Sequence, residues 1–445
     1  MCAERLATIA SAWRRTLLAA SLGLGFSLTA VAAEPTRVLV VATIHGNHDS
    51  NPKYSYQDLV NILGTFAPDA ICVEIRPVDF RKSSYLKEMM MASIFGLDRG
   101  LNVYPVDWWG SGDDRAKRDE YMKTPGYGAK AKEEARLVAA SKVMQDFERK
   151  NGSLTEIWKA NKHGYEFFNG DEYNRYIEEM YGVSMAVHGD GPMNLSYRTR
   201  NDKMMEMIRK ATDENPGRRI CVLTGAEHKH YFDRALATLP GVKVVKLAEI
   251  LPLRPSALGK NIEGFLKDSL ARGYFDDSTP AGVDELYLGA LVPLVHGMGM
   301  DGAPETIPAE NLPKTRPLLE EWRSRNPGSV LLQFELAWVD FLASDYPQAI
   351  GRLEKIRDRL DQIPEAHRGF VKSIFDRNLG LCRDLLGERE KALESYRKGE
   401  AVCRELGYGD RYVKYLFRDF SESPYQRKRV EPAVAKPAPV AKPAK

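Results

Sequence analysis

The chain carries eight histidines, and four of them fall in two short motifs. His45 and His48 lie in TIHGNHD, and His228 and His230 lie in TGAEHKH. Each motif follows directly on a short apolar run, RVLVVAT for the first and RICVLT for the second. Two further runs lead into carboxylates: AICVEI contains Glu74, and LNVYPV stands just before Asp107. Imidazole and carboxylate brought together support hydrolysis by two routes. They can ligate a divalent metal that acidifies a bound water. Alternatively, a histidine paired with a glutamate takes a proton from water without metal. His45, Glu74 and His228 are the candidate set for both routes, as catalytic groups or as ligands to Mn, Co or Zn. Arg200 is placed to neutralise a developing oxyanion or to orient a substrate carboxylate. Asp107, His48, His230 and Trp108 are expected on the substrate side of such a site.

Each of these residues also has a plain structural role open to it. A strand-end histidine commonly satisfies backbone groups. Asp107 could cap a turn. Glu74 is flanked by apolar residues, so burial would require a partner, and Arg76 and Arg200 are the candidates. Met89, Met90 and Met91 could serve as soft haem ligands or simply pack a helix.

These side chains need elements that bring them together. Five short runs rich in Val and Ile read as strands: 37–43, 70–75, 101–106, 219–224 and 242–247. Near-continuous apolar character marks strands covered on both faces, as in an α/β fold with a parallel or mixed central sheet flanked by helices. Helical patterns lie between them, including 56–65 before a Pro68-Asp69 turn and 197–211 after an Asp190-Gly191-Pro192 breaker. Residues 115–190 read as a helical insertion. The carboxyl edge of such a sheet is where ligands bind, and all four ionisable motifs fall there.

The 445-residue length fits two domains with extensions, and 43% hydrophobic content allows a packed core. The net charge of +3 is too small to imply nucleic acid. Residues 1–32 resemble a cleaved secretion signal: Arg14-Arg15, an apolar run, then Ala30-Val31-Ala32. The run is too short for a transmembrane anchor, so a periplasmic or secreted location is expected, with general or twin-arginine export both open. Cys72, Cys221, Cys382 and Cys403 fit no zinc spacing and are expected as buried thiols.

Residues 33–251 form the expected α/β domain, and 252–316 read as a connector with a helix near 284–295. Residues 317–420 contain a repeat. Aligning Leu336 with Leu379 pairs Ala337 with Gly380, Ala349 with Ala392 and Leu353 with Tyr396. These small and large positions suit a tetratricopeptide-like helix pair, which would offer a concave surface to a protein partner. Residues 421–445 end in AVAKPAPVAKPAK and are expected to be disordered.

The order of motifs ATIHGNH, PDAICVEIRP, RTRNDKMMEMI and VLTGAEH resembles the superfamily of TraB, GumN-like, Tiki, ChaN and erythromycin-esterase-type proteins. The resemblance covers roughly residues 36–250. It implies a site built on His45, Glu74, Arg200-Asn201, Gly225 and His228, with Asp107 as in esterase-like relatives. The implied chemistry is mixed: metal-dependent peptidase for Tiki-like members, metal-free His/Glu hydrolysis for esterase types, haem binding for ChaN types. One position departs from the pattern, since Ala42 stands where a Gly is usual in the first motif. The leading expectation is an exported hydrolase of peptidase or esterase type coupled to a protein-interaction region. The alternative is a haem-binding or adaptor protein.

Overall fold

The computed structural model describes residues 34–82, 86–110, 113–271, 273–275, 277–296 and 311–427. The expected leader and residues 428–445 of the tail lie outside the described residues. Five strands form one parallel sheet: β1 Thr36–Thr43, β2 Ala70–Val73, β3 Asn102–Pro105, β4 Arg219–Gly225 and β5 Val242–Val245. Their order is β3-β2-β4-β1-β5. The expectation of a parallel or mixed sheet resolves to parallel. Alternation along the strands divides the core between the two faces. Val38, Val40, Cys72 and Val222 face the helices Leu195–Glu214 and Lys229–Ala237, through Met204, Ile208 and Phe232. Leu39, Val41, Ile71 and Leu223 face the other side, with the helices Tyr56–Phe66 and Lys87–Leu97. Strands covered on both sides explain why the runs are apolar at every position.

Local chemistry fixes the connections. Ser55 and Asp58 form a reciprocal cap that starts the Tyr56–Phe66 helix. Asp69, after the Pro68 turn, accepts the Arg219 backbone N–H at 2.9 Å. That bond sets β2 against the start of β4 and so fixes which residues emerge at the far edge.

β1 is longer than its neighbour β5, whose pairing stops at Leu39. The remaining β1 backbone on that side must find other partners. The Val40 carbonyl accepts from Lys229 Nζ at 2.8 Å, and the Ala42 N–H donates to Asn169 Oδ1 at 2.8 Å. The Tyr54 hydroxyl donates to the Ala42 carbonyl. Asn169 comes from the insertion, which is helical as expected: Asp113–Met122, Tyr127–Ala140, Lys142–Asn151, Leu154–Ala160, Tyr165–Phe168 and Asp171–His188. The insertion is thereby tied to the end of β1, beside the first histidine motif.

An all-helical region follows the sheet. The stretch expected as a connector carries a substantial helix, Pro280–Val295, buried along most of its length. It packs against Leu312–Arg325, where Trp322 Nε1 donates to Asp284 at 2.7 Å. Two more antiparallel hairpins follow: Val330–Leu342 with Tyr346–Ile356, and Glu365–Leu385 with Arg389–Glu405. The small residue expected at Gly380 lies directly under Tyr396; a Cβ there would come within 2.2 Å of the ring. The first seven residues of the expected disordered tail are held in place instead. Arg389 Nη2 donates to the carbonyls of Phe420 and Ser421, and buried Asp384 accepts the Tyr425 N–H at 2.8 Å. No helix among the described residues is long and apolar enough to cross a membrane.

Candidate active site

Parallel register puts the carboxyl ends of β1, β2, β3 and β4 at one edge of the sheet. Val73 lies opposite Leu223 and Pro105, and Thr43 opposite Gly225. The pairing continues past β3, where the Val106 and Asp107 N–H groups donate to the carbonyls of Val73 and Ile75. Glu74 therefore emerges between the end of β4 and Asp107.

Glu74 is 3% exposed. Its Oε2 accepts from Thr224 Oγ1 at 2.8 Å and from the Gly225 N–H at 2.6 Å. Its Oε1 accepts from Arg200 Nη2 at 2.7 Å and lies 3.7 Å from His228 Nε2. Burial alone would raise the Glu74 carboxyl, but His228, Arg200, His45 and the Gly225 N–H together bring it down to about 2. Glu74 is thus a fixed anion.

Arg200 arrives from the Leu195–Glu214 helix, facing the sheet edge. Its Nε and Nη2 donate to Asp107 Oδ1 at 2.9 and 2.7 Å, while Nη2 also reaches Glu74. Its Nη1 lies 3.3 Å from His228 Nε2. A guanidinium can only donate, so His228 Nε2 is the acceptor and the imidazole proton sits on Nδ1. That proton is donated to Asn201 Oδ1 at 2.6 Å. Burial lowers the His228 pKa, and the neighbouring guanidinium adds to it against the opposing pull of Glu74 and Asp107. His228 is held neutral.

His45 is set the other way. Its backbone is left-handed, with φ of 48°, which turns the ring back over the sheet edge. Its Nδ1 donates at 2.8 Å to Glu88 Oε1, and Glu88 is wholly buried. Burial works against the charged imidazole, but the Glu88 hydrogen bond and charge outweigh it, and the His45 pKa is raised. The His45 side chain is 39% exposed, and Nε2 has no hydrogen-bond partner among the described residues. Gly225 permits this placement: a Cβ there would stand 2.6 Å from His45 Nε2 and 3.6 Å from Glu74 Oε2.

His45, Glu74, Asp107, Arg200 and His228 therefore converge. The other expected residues do not join them directly. His48 accepts the Ile44 N–H at Nε2 (3.0 Å) and donates from Nδ1 to the Tyr54 carbonyl (2.8 Å), so both nitrogens are used inside the loop. His230 accepts from the Tyr197 hydroxyl at 2.6 Å and lies buried under the parallel Tyr181–Tyr197 stack. Trp108 is half-buried, and its N–H donates to Asp107 Oδ1 at 2.8 Å. Met89, Met90 and Met91 are buried in the core, where they pack the Lys87–Leu97 helix.

The geometry gives no support of its own to the metal-ligand set expected from the sequence. Among the described residues no group of three or more His, Cys, Asp or Glu is arranged to hold an ion. The donor chemistry explains this. The Arg200 guanidinium sits among Glu74, Asp107 and His228, and both Glu74 oxygens already accept hydrogen bonds. A fixed cation already partners these groups.

One participant escaped the sequence reading, and a second, Asn201, was implied by the resemblance without a role. Glu88 stands in the run KEMMMASIFGL, and its only signal was a carboxylate inside an apolar stretch, which demands a buried partner. Asn201 follows Arg200, and its role as the His228 acceptor needed the helix geometry. The four cysteines are buried and free, as expected. Comparison with family models, with curated proteins and with solved structures finds no match.

Proposed function

We propose that the chain is an exported, metal-independent hydrolase of ester or amide bonds in which His45 is the general base. One observation carries the reading: His45 donates from Nδ1 to a buried carboxylate and keeps Nε2 open beside a rigid Glu74–Arg200–Asp107 lattice. Nε2 takes a proton from water as the water oxygen attacks the carbonyl carbon. Glu88 stabilises the imidazolium and keeps the ring in one tautomer. Arg200, steadied by neutral His228, supplies the positive charge for the developing oxyanion. The imidazolium then returns its proton to the leaving oxygen or nitrogen as the tetrahedral centre collapses. The helical hairpins would serve as a docking surface for a protein partner, in keeping with the stacking of small against large residues at Gly380 and Tyr396. The resemblance noted from the sequence supports the same residues, and the donor geometry favours its esterase-type branch over its metal-dependent one. The test is a panel of aryl esters and amides offered to the purified chain and to His45→Ala. Hydrolysis lost in the variant, with folding unchanged, is the expected result. Full activity in His45→Ala overturns the assignment.

A further inference from the structure

Only five large hydrophobic side chains are exposed among the described residues, and three of them, Leu386, Leu406 and Tyr415, belong to the helical region. The other two are Val78 at 67% and Trp109 at 54%. Both stand on the loops that leave the active edge. Val78 is four residues beyond Glu74, and Trp109 is two beyond Asp107. The two loops run together, because the Asp107 N–H donates to the Ile75 carbonyl. Arg76 joins them: its guanidinium lies 4.6 Å from the centre of the Trp109 ring. Arg76 is itself held by an ion pair to Asp79. The indole is therefore fixed by a cation–π contact and still presents a large apolar area to solvent. Among the described residues the rest of the α/β part keeps its large apolar side chains covered, so this exposure gathers at the mouth of the site. Confined apolar exposure beside convergent polar groups marks ligand contact.

Charge narrows the ligand. Glu74 and Asp107 are bonded to Arg200, Glu88 to His45, and Arg76 at the mouth to Asp79, so the charges around the site are already paired with one another. A charged group on the hydrocarbon side of the scissile bond would lose hydration without gaining an unpaired counter-ion. We infer that Trp109 and Val78 form an apolar subsite that takes the uncharged hydrocarbon part of the substrate, so the preferred substrate is a neutral ester or amide with an extended acyl chain. This rests on the hydrolase reading above, and its test separates the two.

Measure kcat/KM for p-nitrophenyl acetate, butyrate and hexanoate with wild type, Trp109→Ala and Val78→Ser. In parallel, measure by calorimetry the binding of methyl alkyl ketones of matching chain length, which cannot be hydrolysed. For wild type, kcat/KM and ketone affinity should rise roughly two- to fourfold per added methylene. In Trp109→Ala that dependence should flatten, with the acetate rate within threefold of wild type, and Val78→Ser should show a smaller flattening. If no ester is cleaved, the hydrolase reading fails and the ketone series alone decides the subsite. Equal chain-length dependence in wild type and Trp109→Ala, or none in wild type, overturns the inference. Circular dichroism of each variant guards against misfolding, and Val78→Ser provides a second, milder probe.

Discussion

The ends of β1 and β4 deliver one histidine each to the same edge, yet they treat it in opposite ways. At the end of β1, His45 is partly exposed and donates to a buried carboxylate. At the end of β4, His228 is largely covered, donates to a neutral amide and faces a guanidinium. One imidazole is pushed toward the charged form and the other toward the neutral form. Environments that push two titrating groups apart assign them different tasks. His45 is fitted to exchange protons, and His228 to hold Arg200 in place. Glu74 lies between them and stays ionised.

The sharpest way to break this contrast is to remove each histidine in turn. His45→Ala should lower kcat by about 10²- to 10⁴-fold with the fold intact. His228→Ala should cost roughly tenfold in kcat and lower the melting temperature, because it leaves Asn201 and Arg200 without their shared partner. Equal rate losses with equal stability would erase the distinction.

The anion between the two ends gives the next largest effect. The depressed Glu74 pKa means its stabilising contribution is present above the unfolded value near ~4.3 and is lost as pH falls toward 2. Urea unfolding between pH 5 and pH 2 should show a loss of about 3 kcal/mol beyond that of Glu74→Gln in the same window. Coincident losses would show that Glu74 is not the group responsible.

Glu88→Gln removes the charge that raises His45. The acidic limb of the pH–rate profile should move to lower pH, with kcat at its plateau down by about tenfold. An unmoved limb would mean that Glu88 only packs. Asn201→Asp makes the reverse exchange at β4: a carboxylate 2.6 Å from Nδ1 should lift His228 above the ordinary value of ~6.5, read by NMR. Smallest of all, Tyr197→Phe removes the bond to His230 and should leave kcat within about twofold. A larger fall would place His230 in the machinery.

Much of this edge was legible because buried parallel strands must be apolar throughout, so a charged residue at their ends stands out. The five runs, the Pro68-Asp69 turn and the strand-end positions of His45, Glu74, Asp107 and His228 follow from that rule, whereas Arg200, on a helix, came from the resemblance. His45 was set apart from His48 in the sequence, but the backbone-satisfying role of His48 was not legible. Both belong to one short loop, and only the left-handed turn at His45 decides which ring faces the site and which satisfies the backbone. Glu88 was hidden by its setting, since a glutamate among methionines in a helix gives no motif. The setting of the expected ligand residues was hidden for a similar reason. Histidine and carboxylate types were read correctly, but the guanidinium among them could be placed only in three dimensions. In the helical region the small-against-large pairing at Gly380 and Tyr396 showed in the alignment. The anchoring of Tyr425 by Asp384 did not, because it joins residues 41 positions apart.

The difference between the two histidines is most directly tested by nitrogen-detected NMR titration of the imidazoles in the whole chain, assigned with His45→Ala and His228→Ala. We predict that His45 titrates above ~6.5, while His228 stays neutral with its proton on Nδ1 and titrates below that value. If His228 titrates above His45, the base has been placed on the wrong strand.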